Sequence, residues 1–128
     1  MVAVSNTSPL VLLDKAGYLW ILGKLFKKVI IPPAVDVEWL RPGGYVVPQW
    51  LSVATLSQDA LTTAKDLSQK IDKGEAEAMA LFSSIKADWL LLDDLNGRRI
   101  AKAMVFPVVG TLGILITAKR KGIIPEIT

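Results

Sequence analysis

Short apolar runs alternate with amphipathic stretches along the chain. Val2-Ala3-Val4-Ser5, Lys28-Val29-Ile30-Ile31, Trp89-Leu90-Leu91-Leu92 and Pro107-Val108-Val109 are too short for helices and read as strands. Their near-continuous apolar character predicts cover on both faces. Trp50 to Thr55 alternates weakly and holds fewer apolar residues, which predicts an edge strand. Between these runs the period lengthens. Ser8 as N-cap with Pro9 at the first helical position predicts a helix bearing Leu10 and Leu13 and ending at Gly17. Leu19, Leu22 and Phe26 make the stripe of a second, short helix. A third runs from Ala34 to Leu40, stopped by Pro42-Gly43-Gly44, and Tyr45 to Gln49 is irregular. Ser57 to Ile71 is helical with Leu61, Ala64, Leu67 and Ile71 inward, and Gly74 breaks it. The Ala-rich stretch Glu75 to Ile85 strongly favours helix. Asn96 to Met104 follows with Ile100 and Met104 inward, and Thr111 to Lys121 closes the series at Gly122. Strands alternating with helices predict an α/β fold, a three-layer α/β/α sandwich around a central, mainly parallel sheet with right-handed crossovers.

Composition narrows the chemistry. The 128 residues suit one domain over 1–128. A hydrophobic content of 52% and a mean hydropathy of +0.42 leave apolar surface to spare, which predicts a homodimer or higher oligomer. There is no cysteine and no histidine, so disulfides, thiolate or imidazole zinc sites and histidine-based triads are excluded. Any acid–base or metal chemistry must rest on carboxylates, helped by lysine, tyrosine or hydroxyl groups. The net charge is +3. Arg98, Arg99 and Lys102 lie close enough in sequence to meet phosphates together, whereas Lys119-Arg120-Lys121 reads as a solvated helix end. No basic leader and no apolar run long enough to span a bilayer are visible, so a cytoplasmic protein without membrane contact is expected.

The run ending at Asp93-Asp94 is the strongest local signal. In open α/β sheets chemistry gathers beyond the carboxyl ends of the strands. Two adjacent carboxylates there repel unless protons or a cation neutralise them, although one of them would be well used as the cap of the next helix. Asn6 ends the first strand and offers an oxygen, with Thr7 or Ser8 able to hold a metal-bound water; an ordinary strand-to-helix turn would favour the same residues. Glu75 begins a helix that returns from the carboxyl edge of the sheet, which places it with Asp93, yet the helix dipole alone would also favour a carboxylate there. Glu77 falls on another face and is expected in solvent. Glu38 shares a face with Ala34 but could equally be solvated beside Arg41. Thr111 reads as a helix cap whose hydroxyl can also reach the acidic site. A response-regulator-like phosphotransfer site fits less well, since the acidic pair falls late in the chain and no lysine is placed to complete it.

Five segments in order resemble the PIN-domain superfamily: Val4-Ser5-Asn6-Thr7-Ser8-Pro9-Leu10, Val29-Ile30-Ile31-Pro32, Gly74-Glu75-Ala76-Glu77-Ala78, Leu91-Leu92-Asp93-Asp94 and Gly110-Thr111-Leu112-Gly113-Ile114-Leu115. The chain is most similar to a prokaryotic subgroup of predicted nucleic-acid-binding proteins, itself similar to the VapC-type toxins of toxin–antitoxin pairs. The resemblance implies a metal-dependent endoribonuclease that hydrolyses RNA phosphodiester bonds at an acidic Mg²⁺ or Mn²⁺ site, often as a homodimer. It implies Asn6, Glu38, Glu75 and Asp93 as the site residues in chain order, with Asp94 as helper or alternative to Asp93. Asn6, Glu75 and Asp93 would hold the metal, Thr7, Ser8 and Thr111 would support it, and Arg98, Arg99 and Lys102 would hold RNA. A cognate antitoxin protein is the implied partner. Asn6 departs from the pattern, because active members usually carry aspartate there. An amide keeps an oxygen ligand and loses a charge, which leaves open a second reading, a catalytically weakened module that binds RNA or a protein partner.

Overall fold

Successive residues of each strand point to opposite faces, and each face finds its own core. Ala3, Val29, Ile31 and Leu91 enter one core, while Val4, Ile30, Leu90 and Leu92 enter the other. The strands are β1 (Val2–Ser5), β2 (Lys28–Ile31), β3 (Leu51–Val53), β4 (Trp89–Leu91) and β5 (Val108–Val109). In this computed structural model, which describes residues 1–125, they form one sheet in the order β3-β2-β1-β4-β5. Every pairing is parallel, with Ala3 opposite both Val29 and Trp89. The expected α/β/α sandwich is therefore present, and its sheet is parallel throughout.

Helices cover both faces. The first core takes Leu10 and Leu13 of α1 (Thr7–Lys15), Leu22 of α2 (Leu22–Leu25), and Ile114 and Ala118 of α8 (Thr111–Arg120). A 3₁₀ turn, Leu19–Ile21, leads into α2. The second core takes Ala60 and Ala64 of α5 (Gln58–Leu67), Ala76, Met79 and Ala80 of α6 (Lys73–Ile85), and Ala101 of α7 (Leu95–Ala103). After β2 the chain forms α3 (Pro33–Val35), a π-helical stretch Asp36–Leu40 and α4 (Arg41–Gly43), ended by Gly44 in the left-handed region.

Several local expectations shift. Asn6, not Ser8, is the N-cap of α1, and Ser8 and Pro9 sit within its first turn. Gly74 lies inside α6, because Asp72 starts that helix earlier by accepting from Glu75 N at 2.8 Å. Leu61 is exposed and Ala60 takes the inward place beside α6, while Ala64, Leu67 and Ile71 face the core as expected. Met104 is exposed too, since Gly97 and Ala101 form the inward line of α7. Gly110 is the N-cap of α8, and Thr111 is its first helical residue.

The strand order places the site. The sheet grows from β1 to β2 and β3, then resumes on the other side of β1 with β4 and β5. The crevice outside the carboxyl ends of β1 and β4 is thus the topological switch point, where open α/β sheets bind ligands.

Candidate active site

Asn6 and Asp93 leave that switch point from neighbouring strands. Asn6 N donates to Leu91 O at 3.0 Å, which ties the two strand ends together. Asn6 is buried at 5% exposure, and its side chain makes no capping bond to α1. Its amide oxygen is turned toward the start of α6. A Cβ added to Gly74 would lie 3.0 Å from Asn6 Oδ1, 3.5 Å from Glu38 Oε2 and 3.7 Å from Asp72 Oδ1. Oxygens from the N-cap of α1, the π-helical stretch and the cap of α6 therefore converge over a residue with no side chain. Glu38 is exposed, and Arg41 pairs with Asp36 at 2.8 Å instead of with Glu38.

Glu75 sits beside this cluster at 4% exposure. It completes a capping box: Asp72 accepts from Glu75 N, and Glu75 Oε1 accepts from Asp72 N at 3.4 Å. Its other oxygen, Oε2, is buried and has no partner. That oxygen faces Gly97 of α7, where any Cβ would collide with it. Burial first, and then the neighbouring charge of Asp72, push the Glu75 carboxyl up from 4.5 to about 7; Asp94 adds to the rise.

Asp93 is half-buried, and both of its oxygens accept from Thr111, Oδ1 from the backbone N and Oδ2 from Oγ1. Arg98 comes close to the same carboxylate: a Cβ on Gly110 would lie 2.6 Å from Arg98 Nη1 and 2.7 Å from Asp93 Oδ1. Asp94 caps α7, accepting from Gly97 N at 2.9 Å. Asp93, Leu95, Arg98, Arg99 and Lys102 line an open cleft of about 390 Å³.

A protein-family model described as a PIN domain, DUF3368, matches residues 2–128. The chain belongs to the PIN-domain family. A search of curated proteins returned no match. The PIN fold is a nuclease-type fold whose members bind nucleic acid and generally depend on a divalent metal. No helix among the described residues is long and apolar enough to cross a membrane.

Within this PIN domain the residues singled out in the sequence fall into two groups. Asn6, Glu38 and Glu75 gather at the start of α6, and Asp93 and Thr111 stand with Arg98 at the start of α8. Thr7 Oγ1 is buried without a partner, while Ser8 is exposed. Asp72 was not singled out from the sequence, although Asp72-x-x-Glu75 before an Ala-rich run is a legible capping box. Glu77, expected in solvent, is buried at 7% exposure and accepts from Ala34 N at 2.8 Å, because the face of α6 it occupies is covered by α3.

The donors fit a hard cation. All are oxygens, and a buried carboxylate oxygen without a partner beside two further carboxylates lacks a neutralising charge. Among the described residues no group of three or more His, Cys, Asp or Glu is placed to hold a metal ion by itself. Magnesium does not require one: it keeps several waters and takes one or two carboxylates plus substrate oxygens.

Proposed function

We propose that this PIN domain is a divalent-metal-dependent endoribonuclease of the VapC toxin type that hydrolyses RNA phosphodiester bonds. The observation that carries this reading is the convergence of Asn6 and Glu38 over Gly74 at the switch point of the sheet, with Glu75, the next residue of α6, holding one buried oxygen without a partner toward Gly97. Asn6, Glu75 and Asp93 are the residues to hold Mg²⁺ or Mn²⁺, with Glu38 and Asp94 beside them. When bound, the cation would supply Lewis-acid activation of water and neutralise charge on the phosphodiester. The chain's own residues do the rest. Thr111 fixes the orientation of Asp93 through two hydrogen bonds and leaves each carboxylate oxygen a further lone pair. Glu75 keeps Oε1 on Asp72 N and leaves Oε2 buried without a partner, available to a cation. Arg98, Arg99 and Lys102 bind the RNA backbone along their cleft without reading bases. In this reading the protein works in the cytoplasm as a homodimer restrained by an antitoxin.

Asn6 favours a second reading, in which the module binds RNA or a protein partner and cuts poorly. RNA cleavage with Mg²⁺ or Mn²⁺, run against chelator and against Asp93→Ala, separates the two. Metal-dependent cleavage lost in the variant supports the nuclease. Equal activity in both proteins rejects it, and salt-sensitive RNA binding with no Mn²⁺ uptake by calorimetry supports the binding module.

A further inference from the structure

Glu77 has no part in the chemistry above, yet it is one of only four buried polar or charged residues identified among the described residues. Its Oε1 accepts from Ala34 N at 2.8 Å, across 43 positions of sequence. Ala34 is the second residue of α3, and the first amides of a helix have no partner within it. The next two amides, of Val35 and Asp36, both turn back to Pro32 O. Glu77 thus supplies the side-chain bond that ties α6 to the start of the helical segment carrying Glu38.

Glu38 lies four residues beyond Ala34, inside the π-helical stretch Asp36–Leu40. Among the described residues its carboxylate makes no hydrogen bond or ion pair, so only the position of its helix sets where it stands. Ala34, Glu38, Gly74 and Glu77 line one open cleft of about 410 Å³. Both ends of the connection therefore meet on the same helix: Gly74, over which Glu38 and Asn6 converge, is three residues before Glu77 on α6.

We propose that Glu77 is a positioning residue. By bonding Ala34 it fixes the α3 segment against α6 and so sets the placement of Glu38 over Gly74, where a cation would bind. The metal part of this inference rests on the nuclease reading; the placement of Glu38 does not.

The test uses the full chain and Mn²⁺ alone. Calorimetry is run on the native protein, Glu77→Met, Glu77→Gln, Glu38→Ala and the double variant Glu38→Ala/Glu77→Met. Methionine keeps the buried length and removes the acceptor; glutamine keeps an oxygen. Glu77→Met is expected to weaken Mn²⁺ binding by about tenfold, the lower end for losing a group that orients a ligand. Glu77→Gln should recover most of that loss, and the loss should vanish in the Glu38→Ala background, since residues acting through one another are not additive. An equal loss in both backgrounds overturns the proposal. If no protein binds Mn²⁺, the nuclease reading fails on its own, and NMR of the metal-free chain decides the placement. Shifts of the Gly74 amide and the Asn6 side-chain amide in Glu77→Met, restored toward native in Glu77→Gln, support it. Unmoved resonances overturn it.

Discussion

Thr111 donates to both oxygens of Asp93, its backbone N to Oδ1 and its Oγ1 to Oδ2, each at 2.6 Å. The pair joins the carboxyl end of β4 to the first turn of α8, so one side chain both orients an acid and anchors a helix. Hydrogen bonds to a charged group are the stronger kind. Thr111→Val keeps the shape and the backbone bond and removes the hydroxyl. It is expected to destabilise the fold by about 1–3 kcal/mol, read from urea unfolding. A change below a few tenths would mean that water replaces the hydroxyl at no cost.

Gly97→Ala separates site from stability. Alanine is the better helix former by about 1 kcal/mol, so α7 itself gains. Its Cβ, however, would collide with Glu75 Oε2 and approach Leu92 Cδ2 to 3.2 Å. The Glu75 carboxylate is the movable partner and must leave its place. Mn²⁺ affinity is expected to fall by about tenfold while the melting temperature changes little. Unchanged Mn²⁺ binding, measured by calorimetry, would remove Glu75 from the metal site.

The raised carboxyl of Glu75 makes stability depend on pH. In the unfolded chain it titrates near 4.5; in the fold burial and Asp72 push it to about 7. Between these values the folded state holds more proton than the unfolded state, so stability falls as pH rises through this window. The loss is on the order of 3 kcal/mol when complete. Urea unfolding at pH 5 and pH 8 should show this slope, and Glu75→Gln should flatten it. A slope unchanged in the variant would assign the dependence to other groups.

A cation should reverse that loss. Excess Mn²⁺ is expected to raise the melting temperature more at pH 8, where Glu75 is charged, than at pH 5, where it is protonated. Equal shifts at both values would place any bound metal away from Glu75.

Asn6→Asp restores the charge that active PIN nucleases usually carry at this position. It adds a carboxylate beside Glu38 and Asp72, so the metal-free protein should become less stable. Mn²⁺ affinity should rise by about tenfold, equivalent to about 1.4 kcal/mol, and cleavage should rise with it. Higher affinity without cleavage would favour the binding-module reading.

The period of the apolar residues made most of the fold legible. β1 and β2 match their expected bounds, β4 ends one residue sooner, and the weak alternation of residues 50–55 marked a true edge strand. Such runs are readable because strand burial is a local property of alternate residues. The faces of α5 and α7 were less so: which stripe turns inward depends on how closely a neighbouring helix can approach, and alanines and glycines set that distance.

The candidate site divides in the same way. Carboxylates at strand ends and helix starts can be read from a chain, because the local rules of capping and of parallel sheets place them there. The sequence alone determined an α/β domain with oxygen-bearing side chains at the strand ends and helix starts and no thiol or imidazole. Only the tertiary structure decided that Glu38 meets Asn6 over Gly74, that Thr111 takes both oxygens of Asp93, and that Glu77 is buried against Ala34. Those contacts join residues from 18 to 43 positions apart in the two side-chain pairs, and no local pattern of polarity encodes which distant backbone or side chain will stand across from a given carboxylate.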